Sequence, residues 1–396
     1  MALPGVSISL NNGGLGLVAP SDDSVVGIVF NGVAATSLAL GTSFQGFGLD
    51  DFEALGIDAA YDTTNTVKVW RTIKEFYDAA GDGAELWIML VSQATTVTNI
   101  LDKANAFAKK LLDNAQGRIR LLGVGRNPAS GYTPSTSTDQ IDADTLAALT
   151  TGQALANDMQ AAFTPVRIIV GAYAYTGTSS TLVNLKALTK PNMAVLLGNT
   201  ESGANNAIGI LLGRLASVPV QRNPGRVKDG SLPILAAYLG TATLESAPSA
   251  PTAIHDKGFI TFRTYPGKAG YYFSDDPTCV AATDDYSSLA RGRIIDKAIR
   301  IAYATYVEEI LDEVEINPTN GQIATVKAKY YQALIENAIG TAMVGESEIV
   351  SVEAYVDPLQ NVLSTNKICI DIRIVPYGYA KQIEVTLGFT NPALSV

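Results

Sequence analysis

Between residues 25 and 220 the sequence alternates short β-rich apolar runs with helical stretches, and this pattern constrains the fold more than any other feature. Strands are predicted at 25–30, 85–91, 118–124, 166–174 and 193–197, and helices over 66–80, 96–114, 142–162 and 204–216. In the third helix Asp142 stands at the N-cap, and Leu146, Leu149, Ala154, Leu155 and Met159 supply an apolar stripe. Strand–helix alternation at this spacing argues for a mainly parallel sheet with helices packed on it.

Residues 221–257 interrupt that rhythm with Pro224, Gly225, Gly230, Pro233, Pro248 and Pro251, and read as a connector. Beyond it the style is α+β. Runs at 259–265 and 270–273 flank Pro266-Gly267 as an aromatic hairpin. A long helix is expected over 285–316, with Asp284 or Asp285 as its cap. Its apolar positions Ile295, Ala298, Ile299, Ala302, Tyr303, Tyr306, Val307, Ile310 and Leu311 form one stripe. A second helix covers 319–344, with Gly345 as its stop. The closing strands alternate strictly: Val350, Val352, Ala354 and Val356 share one face, then Ile368, Ile370, Ile372 and Ile374, then Ile383, Val385, Leu387 and Phe389. The predicted fold class is thus α/β plus α+β. It comprises an N-terminal arm at 1–22, a central α/β region at 23–220, the connector, and an α+β domain at 258–396 ending in an arm from about residue 376.

The 396 residues include 28 Lys+Arg and 38 Asp+Glu, a formal charge of −10, so phosphate backbones have no general attraction for the chain. Charged residues make up 17% of the sequence against about 25% in typical proteins, which large self-association surfaces or a multi-domain core with Ser/Thr/Asn-rich loops would equally explain. Cys279 and Cys369 form no C-x-x-C pair and suit reduced thiols in a cytoplasmic place of synthesis. The longest apolar stretch, 208–220, is cut by Gly213, Arg214 and Ser217, so no membrane insertion is expected.

Catalytic constellations are not evident. His255, the only histidine, lies in the connector, and no G-x-S-x-G accompanies it. Gly123-Val124-Gly125 follows a strand, but Arg126-Asn127-Pro128 stands where a dinucleotide loop needs its third glycine and helix start. Asp275-Asp276 and Asp284-Asp285 read as turn and capping residues. No catalytic residue, metal site or cofactor is therefore expected.

Two features point to assembly instead. Val6, Ile8 and Leu10 alternate before a Gly/Asn tether, as Ile383, Val385, Leu387 and Phe389 do after Tyr377-Gly378-Tyr379, so both ends suit strand exchange between copies. An ordinary first strand and hairpin is the competing reading at the N-terminus. The long helix segregates its charges, with Arg291, Arg293, Lys297 and Arg300 first and Glu308, Glu309, Asp312, Glu313 and Glu315 last. The macrodipole prefers the reverse, by about 0.3–1 kcal/mol per exposed charge, so a complementary partner surface or a salt-shielded face is implied.

The order of an aromatic hairpin, RGRIIDKAIRIAYATYVEEI, a second helix, IVSVEAYVDPLQN and KICIDIRIVPYGYAKQIEVTLGF resembles the C-terminal domain of contractile-tail sheath proteins of bacteriophages and contractile injection systems. The resemblance implies a helical sheath of stacked rings around a tail tube, interlaced through terminal arms and contracting to drive the tube through a target envelope. It implies a structural homo-oligomer with tail tube, baseplate and tail-terminator partners, made in a bacterial cytoplasm and carried on a virion tail or injection particle. Val6, Ile8, Leu10, Ile383, Val385, Leu387 and Phe389 would be exchanged. Arg293, Lys297, Arg300, Glu308, Glu309, Asp312 and Glu313 would face the tube or a neighbouring subunit. The competing reading is an α/β enzyme or small-molecule binder with an appended oligomerisation domain.

Overall fold

The computed structural model describes residues 22–390. Val6, Ile8 and Leu10 lie outside this range. The chain forms two compact units, the first ending at Glu313 and the second beginning at Val314.

The first unit is built on β1 (Val26–Gly32), β2 (Ser43–Gly46), α1 (Leu49–Glu53), α2 (Ala59–Asn65), α3 (Val69–Ala80), β3 (Leu86–Ser92), α4 (Val97–Leu101), α5 (Ala108–Asn114), β4 (Leu121–Gly125), α6 (Ala143–Ala161), β5 (Arg167–Gly171), β6 (Met193–Leu196) and α7 (Ile208–Ala216). The six strands pair in the order β2-β3-β1-β4-β5-β6, parallel throughout except for β2 against β3. Every residue of β1 is buried, as a strand covered on both faces requires. The register shows which helices cover them. A Cβ on Gly27 would meet Leu111 of α5 and one on Gly123 would meet Leu212 of α7, while Ile28 aligns with Gly123. Neighbouring residues of a strand point to opposite faces, so α5 and α7 lie on opposite sides of the sheet.

Prediction and structure agree on the five parallel strands and differ at the helices. The stretch expected as one helix at 96–114 is two, α4 and α5, separated by a turn in which Ala104 N–H donates to Asp102 Oδ1 at 2.9 Å. Asp142 precedes α6 as expected, but its carboxylate accepts from Tyr132 Oη and Ser135 N instead of the helix amides. α3 and α7 cross closely because α7 carries Gly209 and Gly213. A Cβ at these positions would stand 2.1 and 2.3 Å from the carbonyl oxygens of Thr72 and Phe76.

Residues 221–257, expected as a connector, contain β7 (Tyr238–Leu239), β8 (Ala242–Thr243) and α8 (Ala250–Asp256). They contribute Leu232, Ala237, Leu239, Leu244 and Ile254 to the main core. The hairpin of β9 (Phe262–Tyr265) and β10 (Lys268–Phe273) stacks Phe262 on Phe273 at 5.3 Å. Just ahead of it, Ile260 bridges to Leu196 and continues the large sheet beyond β6. α9 (Leu289–Val307) is the last helix of this unit.

The second unit contains α10 (Thr325–Ile339), a π-helical turn over Gly340–Val344, β11 (Ile349–Tyr355), α11 (Val362–Thr365) and β12 (Asp371–Pro376). β11 and β12 pair antiparallel, and β11 packs on α10 through Ile349 and Ala354 against Tyr331, Ile335 and Ile339, all buried. The strict alternation expected from Val350 is broken by a register shift between Ile349 and Ser351, which buries Ile349 and leaves Val350 49% exposed.

Candidate assembly surfaces

α9 begins later than expected. Its first amides are satisfied by Ser288 Oγ, accepting from Arg291 N at 3.2 Å, and by Asp276 Oδ2, accepting from Ala290 N at 2.8 Å. Asp284, expected as the cap, accepts instead from Tyr286 N within the preceding turn.

The buried face of α9 mixes apolar and ionic side chains, with Leu289, Ala290, Ile294 and Ala298 beside Arg293 and Asp296. Arg293 and Asp296 are 4% and 3% exposed. Arg167 at the start of β5 donates from Nε and Nη2 to the Asp296 carboxylate at 2.7 and 2.6 Å, and its Nη1 and Nη2 also reach the carbonyls of Pro191 and Gly292. Arg293 donates to Val218 O at 3.3 Å. Lys297 pairs with Asp23 Oδ2 at 2.7 Å, and Arg300 pairs with Asp23 Oδ1. Arg120 donates to the neighbouring Asp22 O at 2.9 Å, and burial with nearby Arg300 brings its pKa down to about 10. Thus Arg293, Lys297 and Arg300 meet the body of their own unit.

The expected apolar stripe is buried at Ala298, half-buried at Ile295, Ile299, Ala302 and Tyr306, and exposed only towards its C-terminal end. Tyr303 and Val307 are exposed, Phe163 stacks on Tyr303 at 4.4 Å, and beyond the helix Ile310 and Leu311 are 64% and 98% exposed. The helix stops at Val307, so Glu308 is its C-cap, and Glu309, Asp312 and Glu313 lie beyond it in a stretch where Leu311 adopts φ 68°. The expected conflict between these acids and the macrodipole is therefore confined to the cap; the helix ends where continued acidic residues would destabilise its C-terminus. Glu308, Asp312 and Glu313 are exposed beside the apolar residues, and Glu309 is half-buried.

In the second unit, side chains of α10 occupy the outer edge of β11 at Ala354. Gln332 Nε2 donates to Ala354 O, and Ala354 N donates to Glu336 Oε1, each at 2.7 Å. These i, i+4 side chains of α10 occupy the backbone of β11 where it turns away from β12. Among the described residues no strand pairs with the far edge of β12. The chain then continues without helix or strand through 377–390, and Ile383, Val385, Leu387 and Phe389 are 78%, 72%, 90% and 110% exposed.

Chemistry-bearing side chains do not converge. Among the described residues no group of three His, Cys, Asp or Glu could hold a metal ion, and no helix is long and apolar enough to cross a membrane. Asn223 Nδ2 bridges the carboxylates of Asp275 and Asp276 at 2.6 and 2.7 Å, which makes the first acidic pair part of the scaffold beneath α9. Cys279 is buried and its thiol is pushed up to about 12, whereas Cys369 is exposed.

The family model described as DUF2586, N-terminal domain, matches residues 3–277, and that of the DUF2586 C-terminal domain matches residues 285–394. The chain belongs to the DUF2586 family. No curated protein matches it. Solved structures with the same fold as this DUF2586 chain include a chain of the anti-feeding prophage (AFP) baseplate, 6-fold symmetrised. That match has a TM-score of 0.64 and 13% identity and covers 99% of this chain and 100% of that one. A chain of the AFP helical sheath in the contracted state gives 0.61 and 14% over 98% and 99%. The sheath complex of an extracellular contractile injection system, PVC, also contracted, gives 0.59 and 14% over 98% of both chains. The resemblance to contractile-sheath proteins expected from the sequence thus holds for the fold of the whole DUF2586 chain.

Proposed function

We propose that this chain is a non-enzymatic structural subunit of a contractile sheath, polymerising helically around a tail tube and contracting to drive the tube through a target cell envelope. The reading rests above all on the second unit. A row of four alternating apolar side chains stands almost fully exposed, and β12 offers an unpaired edge. An extended segment with that pattern gains main-chain hydrogen bonds and buries its apolar side chains only by joining a sheet, and a neighbour's β12 supplies one. Donor and acceptor are different surfaces, so the contact is head-to-tail and suits rings or helices. The segment carrying Val6, Ile8 and Leu10 is the proposed second arm. The outward face of α9, with Tyr303, Val307, Ile310 and Leu311 beside Glu308, Asp312 and Glu313, is the proposed contact with the tube or a neighbouring subunit. The basic residues Arg293, Lys297 and Arg300 hold α9 in place behind it. Baseplate and tail-terminator proteins are the proposed end partners, and the assembled tail or injection particle is the proposed location.

Electron microscopy of the purified chain across protein and salt concentrations tests this reading. Rings or tubes are expected, and a compact monomer under every condition refutes it. Deleting residues 1–16, or placing Asp at both Leu387 and Phe389, should leave a folded subunit that no longer forms extended assemblies. Normal assembly of both variants would rule out strand donation.

A further inference from the structure

Charges from two elements converge where the chain enters the first unit. Ser24, Val25 and Val26 are 9%, 1% and 0% exposed, so burial alone fastens the start of β1. Asp22 and Asp23, just ahead of them, are exposed and half-buried and are held by polar contacts instead.

Lys297 Nζ meets Asp23 Oδ2 at 2.7 Å and Arg300 donates to Asp23 Oδ1, so two residues about one turn apart on α9 take both oxygens of one carboxylate. Arg293 Nη2 faces Asp23 O at 3.5 Å. From just ahead of β4, Arg120 Nε donates to Asp22 O at 2.9 Å. The side chains of Lys297, Arg300 and Asp23 are 14%, 17% and 19% exposed, so salt screens these pairs less than it screens surface ones. α9 has other fastenings to its unit, in the Arg167–Asp296 pair and in buried Leu289, Ile294 and Ala298. The contacts on Asp23 therefore do more than dock the helix: they fix the backbone of the two residues that precede the buried strand.

A chain end is poorly ordered unless something ties it down, and these ties stand immediately after the segment that carries Val6, Ile8 and Leu10. Eleven residues separate Leu10 from Asp22 and span at most about 40 Å when extended, so a sheet that receives the segment must lie within that distance of Asp22. An attachment fixed in place and direction concentrates a tethered segment on the neighbour it can reach. Arg300 stands three residues before Tyr303, so the attachment lies about one turn from the exposed end of α9.

We infer that Asp23 is the anchor of the N-terminal arm. Lys297 and Arg300 set the point and direction at which residues 1–21 leave the subunit, and α9 thereby carries both the arm and the exposed surface at Tyr303 and Val307. The role in assembly rests on the strand-donation reading above, whereas the anchor is a property of the single chain.

Two measurements separate these. The first places spin labels at Asp22→Cys, where the side chain is 85% exposed, and at Ala304→Cys, an exposed position of α9, in a Cys369→Ser chain diluted with unlabelled protein. The anchored chain should give one narrow distance peak. Asp23→Ala should lose it, and so should Lys297→Gln combined with Arg300→Gln. Asp23→Glu keeps the carboxylate and should retain the peak. Lys74→Gln, which removes an exposed ion pair on α3, should change nothing. Urea midpoints check that each variant is folded. The second measurement is electron microscopy of unlabelled chains: the rings or tubes of the unsubstituted protein should be lost in Asp23→Ala and return in Asp23→Glu. A peak as narrow in Asp23→Ala as in the parent overturns the anchor. Normal tubes from Asp23→Ala overturn its part in assembly. An unsubstituted chain that forms neither rings nor tubes refutes the sheath reading and not the anchor, which the spin labels decide.

Discussion

The ion pair that fastens α9 to the sheet gives the sharpest quantitative test of what holds this helix down. Arg167 and Asp296 have side chains only 3% and 5% exposed and are joined by two hydrogen bonds of 2.6 and 2.7 Å. Asp296→Ala leaves the guanidinium buried with only the carbonyls of Pro191 and Gly292 as acceptors. An uncompensated buried charge of this kind costs about 3–5 kcal/mol. Urea unfolding followed by tryptophan fluorescence is the assay, because Trp70 and Trp87 both lie in the first unit. With a slope of about 3 kcal/mol per molar, the midpoint should fall by about 1 M or more. The double variant Arg167→Met, Asp296→Leu removes both charges together and should recover most of that loss, since well-packed apolar replacements of buried pairs are often neutral. A loss below about 1 kcal/mol for Asp296→Ala, or a double variant no better than the single one, would refute the reasoning.

Other expectations follow from the same structure. Burial raises the Glu75 pKa, against the opposing influence of Arg71 and Thr200. A raised folded-state pKa contributes stability below the unfolded value and loses it as pH rises through the folded one. Glu75→Gln should therefore stabilise the chain at neutral pH, with the gain vanishing towards about pH 4, where Glu in the unfolded chain titrates; denaturant midpoints against pH read this, and a gain independent of pH counts against it. Gly209→Ala puts a Cβ 2.1 Å from Thr72 O and should cost about 1–3 kcal/mol as α3 and α7 part, and an unchanged melting temperature would contradict the close crossing. A disulfide reagent at mildly alkaline pH should modify one thiol per chain quickly, Cys369, while Cys279 stays inert; Cys369→Ser removes the reaction, and two fast equivalents would show Cys279 to be accessible.

Periodicity carried the parallel sheet in the sequence because strands buried on both faces leave continuous apolar runs such as 26–30 and 86–91. The antiparallel edge strand β2, Ser-Phe-Gln-Gly, has one large apolar residue in four and left no comparable trace. α9 misled in a different way. Its apolar stripe was visible, but the ionic contacts that share its buried face reach Arg167, 129 residues before Asp296, and Asp23, 274 residues before Lys297. Neither partner carries a local signal, so basic residues that read as a docking surface are the ones anchoring the helix. The exposed row at Ile383, Val385, Leu387 and Phe389 was legible as alternation, although in the single chain it forms no strand, because a strand needs an edge to pair with.

The edges of the small sheet have a consequence for direction. With Gln332 and Glu336 holding Ala354, the β11 edge is occupied at that residue, and in the proposed strand exchange β12 receives the C-terminal segment of a neighbour. On that proposed exchange, a donor and an acceptor on different surfaces give a chain of copies whose two extremities differ, one presenting an empty β12 edge and the other an unplaced segment, so growth by this contact has a direction.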